Sequence, residues 1–229
     1  MSNKGLSGNL LKCIAMICMT ADHVGCLLLP QYTWLRIIGR LAFPIYAYLI
    51  AEGCRYTRSM GRYLGSLSAI AALCQGIYFV AMGSVYMCIL VTFSLSVALI
   101  WLLQWAQQKR TRFTYAAVAV GVLLAFVLGE ILPGLLVGTD YAIDYGFYGI
   151  ILPVCVYLCK SRKQELLITA LVLMGMAAAD GWGIQWFALL ALPFLALYSG
   201  QRGKWKLKWL FYFYYPAHLA AIWLLGVAL

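Results

Sequence analysis

The chain has 229 residues, of which 65% are hydrophobic and only 10% are charged, and its mean hydropathy is +0.88. Soluble domains carry about 25% charged residues, so this composition excludes a soluble globular protein and indicates a polytopic membrane protein. The net charge of +10 does not indicate nucleic-acid binding, because the basic residues fall in short connections between apolar runs, where they set membrane orientation. The lipid bilayer is therefore an expected partner, and nucleic acid is not.

Nine apolar runs qualify as candidate membrane-spanning helices, since a helix crosses the hydrocarbon in about 20 residues. The first run is longer than a signal-peptide core and lacks a cleavage-site pattern, so we expect it to be retained. The sixth and seventh runs are short and fit tilted or re-entrant segments. With short connections between the runs, we expect one all-α domain over residues 1–229, a polytopic membrane helix bundle. The predicted spans are approximately 10–30, 33–54, 62–82, 86–106, 113–133, 142–159, 164–180, 183–199 and 208–228.

The connections between these spans alternate in charge. Those near 30–33, 82–86, 133–142 and 180–183 contain no Lys or Arg. The positive-inside rule then places the basic connections and the N-terminus in the cytoplasm and the C-terminus outside. The basic residues of the cytoplasmic set are Lys4, Arg55, Arg58, Arg62, Lys109, Arg110, Arg112, Lys160, Arg162, Lys163, Arg202, Lys204, Lys206 and Lys208.

The eight cysteines give no indication of a metal site or a redox motif. All lie in or at the ends of apolar runs, and no two form a CxxC pair. Cys155 and Cys159 share a helix face, but no histidine or carboxylate beside them completes a metal site. We interpret them as free, small hydrophobic residues, and we expect no metal cofactor. They are Cys13, Cys18, Cys26, Cys54, Cys74, Cys88, Cys155 and Cys159.

Ionisable side chains inside the first two predicted spans mark the candidate site, because charges at membrane depth are costly unless they pair or line a wet cavity. His23 lies eleven residues past Lys12 on a rising helix, or roughly 16 Å above it. Arg40 lies about seven residues below the outer end of the second span, near the same level. His218 lies ten residues past Lys208, again roughly 15 Å up. The chain's two histidines and a buried arginine are therefore predicted near the membrane midplane.

The spacing of these residues suits acyl transfer. Arg36 and Arg40 share a helix face and offer planar donor forks to a phosphate, a carboxylate or an oxyanion. A histidine at comparable depth accepts and returns a proton near neutral pH. Tyr48 and Glu52 form a second pair on the same helix, and Pro44 is expected to kink the helix between the two pairs.

Other interpretations of the same residues stay open. Asp22 with Arg36 or Arg40 fits a structural ion pair that locks the first two helices. His218 fits a hydrogen bond between helices. The whole midplane set fits a proton or ion relay in a small-solute transporter, although no repeated halves are visible, and a non-catalytic membrane scaffold is the third alternative.

Five segments of the sequence resemble the TraX family, in collinear order from the first span to the last. The first runs from Leu11-Lys12-Cys13-Ile14-Ala15-Met16 to Asp22-His23-Val24-Gly25. The second contains Leu35-Arg36-Ile37-Ile38-Gly39-Arg40-Leu41-Ala42-Phe43-Pro44, followed by Glu52-Gly53 and Thr57-Arg58. The later segments are Asp144-Tyr145-Gly146-Phe147-Tyr148-Gly149, Phe187-Ala188-Leu189-Leu190 and Tyr215-Pro216-Ala217-His218-Leu219.

This resemblance implies a bacterial inner-membrane protein named for the acetylase of conjugative pilin, with acetyl-CoA as the donor. The family is similar to integral-membrane acyltransferases, which pass acyl groups from cytoplasmic acyl-CoA to acceptors on the far side. The implied acceptor is an amine or a hydroxyl, such as a protein N-terminus or an envelope glycan. By this similarity His23 is the base beside Asp22, and Arg36 and Arg40 hold the donor or the oxyanion. The expected donor-binding set is Arg40, Tyr48, Glu52, Arg55, Arg58 and His218.

Overall fold

A computed structural model describes residues 5–204 and 208–228, and its regular structure is helical. In this part of the chain, extended backbone pairs only at two isolated bridges, Leu6 with Tyr198 and Met87 with Ile143. The predicted all-α class is confirmed. The helices are α1 Gly8–Leu27, α2 Thr33–Gly39, α3 Ala42–Tyr56, α4 Met60–Met82, α5 Ile89–Lys109, α6 Arg112–Phe126, α7 Leu132–Leu135, α8 Gly146–Leu158, α9 Arg162–Ala179, α10 Leu192–Ala196 and α11 Lys208–Ala228. A π-helical turn, Val127–Ile131, joins α6 to α7, and a 3-10 helix, Ile184–Ala191, precedes α10.

Each predicted span overlaps a helix, or a run of adjoining helices, of the described chain. Within residues 5–204 and 208–228, five segments are long and apolar enough to cross a membrane, and two shorter ones, Gly146–Leu158 and Ile184–Ala196, are apolar as well. The chain is therefore a multi-pass membrane protein. The orientation stays a prediction, and Lys4 and Lys206 of its basic set lie outside the described residues. The five long segments are Gly8–Leu27, Thr33–Tyr56, Met60–Val80, Ile89–Lys109 and Arg112–Leu135.

The second span is broken between α2 and α3, at Arg40 and Leu41. Proline has no N–H, and its ring crowds the carbonyl four residues earlier. For Pro44 that carbonyl belongs to Arg40, so the helix cannot continue regularly through it. The chain instead makes a tighter turn, in which the N–H of Leu41 donates to the carbonyl of Ile38 at 3.2 Å. The helix is interrupted where the kink is expected, and Arg40 lies at the interruption.

The chain forms two compact units. The first joins the chain up to Leu49 with the chain from Lys160 onward, and the second is Ile50–Cys159. The single domain expected over residues 1–229 stays a prediction.

In the first unit, α1 packs against α2 and α11, and α9 packs against the 3-10 helix and α10. The start of α1 is fixed by the segment that follows α10. The N–H groups of Gly8 and Asn9 donate to the carbonyls of Gln201 and Arg202, at 2.7 and 2.9 Å, and the Ser7 side chain accepts from the N–H of Leu10. The N–H groups that a helix start leaves unpaired are thereby satisfied.

In the second unit, α5 packs against α4, α6 and α8, and α8 is held at its N-terminus by Glu130 of the π-helical turn. The Glu130 carboxylate accepts from the N–H of Phe147 at 2.9 Å. Close approach makes this possible, because a Cβ on Gly129 would lie 2.6 Å from that nitrogen. A carboxylate at a helix N-terminus is favourable for the helix dipole.

Candidate functional site

The candidate site in the first unit is built around the carboxylate of Asp22, on α1. Its Oδ1 lies 2.6 Å from NH2 of Arg40, and its Oδ2 lies 3.1 Å from NH1 of Arg36. The two arginines come from α2 and from the turn that ends it, so their spacing of four residues points both side chains at α1. Arg36 and Arg40 were alternative partners of Asp22 in the sequence, and Asp22 pairs with both of them.

A close approach of backbone to side chain brings α1 and α2 together here. A Cβ at Gly39 would overlap the Asp22 carboxylate, and one at Gly25 would lie 2.7 Å from Cβ of Leu35. Glycine at these two positions lets the helices approach until the carboxylate reaches both guanidinium groups.

The two arginines differ in how much of each remains accessible. The Arg40 side chain is 10% exposed and that of Arg36 is 28% exposed. Arg40 also donates through NH1 to Oε1 of Gln185 at 3.1 Å, and through Nε to the carbonyl of Arg36 at 3.4 Å. The bonds of Arg36 to Asp22 both run through NH1. Arg40 is therefore the more fully engaged, and Arg36 is the better placed to meet a ligand.

The two histidines meet across α1 and α11. Nδ1 of His218 lies 2.8 Å from the carbonyl oxygen of Tyr214, and a carbonyl only accepts, so this nitrogen carries the proton. Nε2 of a neutral His218 is then an acceptor, and it lies 2.8 Å from Nδ1 of His23. Nδ1 of His23 is therefore the donor of that bond. Nε2 of His23 is left as an unprotonated nitrogen, which is the form a general base needs.

A second bond fixes the same two helices one turn away. Oγ1 of Thr20 lies 2.9 Å from the carbonyl of Met16 and 2.5 Å from the hydroxyl of Tyr214. Since Thr20 donates to the carbonyl, Tyr214 donates to Thr20. The Tyr214 ring also stacks on the His218 ring, with centroids 5.0 Å apart and planes 11° from parallel. This double contact holds His218 against His23.

Tyr48, predicted in the donor-binding set, belongs to a separate buried cluster in the first unit. Its hydroxyl donates to Glu165 and accepts from Arg162. The Arg162 guanidinium also donates to the carbonyls of Leu195 and Tyr198, and it lies 5.0 Å from the Tyr48 ring centre. The donors of Arg162 are thus directed at protein groups, which favours a structural role for this cluster.

Arg40 and His218 of the predicted donor-binding set lie in the first unit, whereas Glu52, Arg55 and Arg58 lie in the second. Glu52 pairs with Arg55 at 3.0 Å. The same guanidinium donates to the carbonyls of Val156 and Cys159, at 2.5 and 3.0 Å, and so caps the C-terminus of α8. Arg58 is exposed. Among the described residues, no group of three His, Cys, Asp or Glu side chains is arranged to hold a metal ion.

Four residues of these clusters were missed in the sequence: Gln185, Tyr214, Arg162 and Glu165. A signal was available for the first, because Gln185 is a lone polar residue in an apolar run, and such residues in membranes usually bind across helices. Tyr214 lies four residues before His218, on the same helix face. The charge pattern assigns Arg162 to a basic connection, and its partner Glu165 is not among the predicted site residues.

Comparison with known proteins finds a matching protein family and related chains from bacteria. A model of the TraX protein family matches residues 7–226. The probable fimbrial assembly protein FimC, serogroup H1, of Dichelobacter nodosus is 28% identical over an alignment 243 residues long. The alignment covers 93% of this chain and 92% of that protein. The uncharacterized protein RP591 of Rickettsia prowazekii (strain Madrid E) is 48% identical over 46 residues, which cover 20% of this chain and 18% of that protein. No solved structure matches the chain.

Proposed function

Because the chain belongs to the TraX family, we propose that it is a membrane-embedded acyltransferase that moves an acetyl group from acetyl-CoA to an amine or hydroxyl acceptor. The observation that carries this proposal is the hydrogen-bond chain from His23 through His218 to the Tyr214 carbonyl, which leaves Nε2 of His23 unprotonated. His23 lies on the same helix as Asp22, whose carboxylate pairs with two arginines. A base next to fixed cations is what acyl transfer requires.

In the proposed reaction, Nε2 of His23 removes the proton from the acceptor as its nitrogen or oxygen attacks the thioester carbonyl. The resulting tetrahedral intermediate carries a negative oxygen. When it collapses, the carbon–sulfur bond breaks, the acetyl group stays on the acceptor, and the CoA thiolate takes the proton back from His23. Transfer through an acetylated His23 is the other route open to the same residue.

Arg36 is our candidate for stabilising the negative oxygen. The two bonds from its guanidinium to Asp22 use NH1 alone, and the side chain keeps more exposure than that of Arg40. Arg40, held by Asp22 and Gln185, positions the carboxylate that in turn positions Arg36. A fixed donor aimed at developing charge typically contributes 10²–10³ in rate.

The acceptor is proposed to be extracytoplasmic or membrane-bound, either a protein N-terminus or an envelope glycan. The name of the Dichelobacter nodosus relative, a probable fimbrial assembly protein, favours a pilin-like N-terminus. The bacterial inner membrane is the proposed location, with the donor arriving from the cytoplasmic side.

The test is binding and transfer with detergent-purified protein. Acetyl-CoA should raise the melting temperature of the wild type, because a ligand that binds only the folded state stabilises it. Radiolabelled acetyl should then pass from acetyl-CoA to a synthetic pilin N-terminal peptide, or to envelope glycan, supplied as acceptor. We expect His23→Gln to keep the thermal shift and lose the transfer, and Arg36→Gln to weaken both. No shift and no transfer with wild-type protein would refute the proposal.

A proton-coupled transporter is the second candidate, and the two-histidine chain favours it as well, since hydrogen-bonded histidines carry protons through membranes. In reconstituted vesicles, this candidate predicts proton uptake driven by a solute gradient without any acetyl-CoA. Acetyl transfer without such uptake would exclude it.

A further inference from the structure

We propose that the proton accepted by His23 does not stay there, and that a proton relay carries the positive charge onto His218. In detail, a proton arrives on Nε2 of His23, and the proton of its Nδ1 crosses the 2.8 Å bond to Nε2 of His218. His23 is neutral again, with its proton on the other nitrogen, and His218 is an imidazolium. When the CoA thiolate takes the proton from Nε2 of His23, the shared proton returns from His218 to Nδ1 of His23, and both rings are neutral again. The inference extends the proposed acyl transfer by assigning a role to His218.

The charges near Asp22 favour moving the proton on. Two guanidinium groups lie against this one carboxylate, so the cluster keeps a net positive charge. His23 is the next residue after Asp22. A like charge nearby disfavours the charged form of an ionisable group, so a proton held on His23 lies next to this positive cluster. Passing the proton across the 2.8 Å bond moves the positive charge from α1, which carries Asp22, to α11.

The surroundings of His218 suit a cation. Its Nδ1–H already donates to the Tyr214 carbonyl at 2.8 Å, and a bond from a charged donor to a carbonyl is stronger than one from a neutral donor. The Tyr214 ring covers the imidazole face in parallel, with the ring centres 5.0 Å apart, and an aromatic face attracts a cation placed over it. The Tyr214 hydroxyl, bound to Thr20, keeps that ring in place.

The other ionisable groups around the two histidines do not reverse the preference of the proton for His218. From α11, the Tyr215 ring meets both imidazoles edge-on, with centres 6.3 Å from His23 and 5.6 Å from His218. Tyr46 of α3 lies near Tyr214, and a tyrosine hydroxyl is uncharged at neutral pH. The Asp22 carboxylate is occupied by its two arginines.

Nitrogen NMR of the detergent-solubilised protein tests the relay without depending on activity. The chain has two histidines, so histidine labelled with ¹⁵N gives two ring signals from each, which His23→Gln and His218→Gln assign. At neutral pH we expect protons on Nδ1 of both rings. As the pH is lowered, we expect both nitrogens of His218 to become protonated and the His23 proton to switch from Nδ1 to Nε2. Protonation of both His23 nitrogens first, or of the two rings together, would overturn the inference.

Two substitutions separate the relay from simple packing. In His218→Gln, the side-chain oxygen still accepts from Nδ1 of His23 but cannot take the proton. We expect acetyl transfer to fall about tenfold or more with an unchanged KM for acetyl-CoA, whereas full activity in this variant would contradict the relay. Tyr214→Phe, which keeps the ring face, should retain the proton switch, and Tyr214→Leu should lose it. If wild-type protein shows the switch but transfers no acetyl group, the proposed function fails and the relay stands.

Discussion

Gly39 lies so close to the Asp22 carboxylate that a side-chain carbon at position 39 would overlap it. The glycine is part of the TraX-like segment around the two arginines. Its close contact with Asp22 explains why a residue without a side chain lies between them. The contact determines how near α2 can come to α1, and through it whether one carboxylate can reach two guanidinium groups.

Gly39→Ala is expected to lower the stability of the protein by about 2 kcal/mol or more, because an added methyl group in a packed contact forces the neighbours apart. Thermal unfolding in detergent measures the loss. Gly76→Ala is the matched control. It lies inside α4 with open space around it, so alanine should raise the stability by about 0.5–1 kcal/mol through its better helix propensity. Equal effects of the two changes would contradict this explanation.

Removing the carboxylate should cost more than removing one arginine. Asp22→Asn leaves two largely buried guanidinium groups without their counter-charge, and we expect a loss of about 3 kcal/mol or more. Arg36→Gln leaves Asp22 paired with Arg40, so a loss of about 1 kcal/mol is expected. Denaturant unfolding of the three proteins gives the order. The reverse order would show that the site is held together by something other than Asp22.

Thr169 and Thr92 are both completely buried, and they should respond in opposite ways to the same change. The Thr169 hydroxyl has no hydrogen-bond partner among the described residues, whereas that of Thr92 donates to the carbonyl of Asp144 at 2.8 Å. Since an unsatisfied buried hydroxyl costs about 1–3 kcal/mol, Thr169→Val should stabilise the protein. Thr92→Val should destabilise it by about 1 kcal/mol. Melting temperatures measure both changes in stability. A lower melting temperature for Thr169→Val would indicate that the Thr169 hydroxyl binds a water molecule.

Arg55 and Arg58 were both predicted to bind the donor, and substitutions can separate their roles. Arg55→Gln should lower the melting temperature, since it removes the cap of α8 and the partner of Glu52. Its affinity for acetyl-CoA should be unchanged in the protein that remains folded. Arg58→Gln should leave the melting temperature alone, because Arg58 is exposed. If the affinity for acetyl-CoA is weaker in Arg58→Gln but not in Arg55→Gln, Arg58 is identified as a phosphate-binding residue.

Asp140, in the connection before α8, provides a prediction on pH. The Ser84 hydroxyl and then the Val85 N–H donate to its carboxylate and hold its pKa below the ordinary value of 3.8. Because the folded pKa is lowered, this contribution to stability is present above pH 3.8 and is lost as the pH falls through the lowered pKa. Ser84→Ala should raise the pKa of Asp140 toward 3.8, as measured by carboxyl ¹³C NMR. An unchanged pKa would exclude the hydroxyl as the cause.

The helices, and the ionisable residues within them that need partners, could be predicted because the chemistry of a membrane leaves few alternatives. Apolar runs of a fixed length define spans, and a charge inside a span needs a partner. Depth along the helices placed His23, His218 and Arg40 at similar levels, and the structure brings the two histidines into contact. Depth says nothing about which helices are neighbours, however. That is why the link from Arg40 to Gln185, 145 residues apart, was not foreseen, and why Arg55 was assigned to a ligand instead of the carbonyls of α8.

The π-helical turn Val127–Ile131 has a consequence for how the family can vary in length. Each hydrogen-bonded ring in such a turn encloses one residue more than in an α-helix, so the turn accommodates a single insertion without shortening the flanking segments. The insertion rotates the following residues by about 100° around the helix axis, and in that register Glu130 accepts from the N–H of Phe147. Deleting one residue here would restore a regular helix and turn the carboxylate away from α8. A homologue with a one-residue gap at this place should therefore also lack an acidic residue at the position of Glu130.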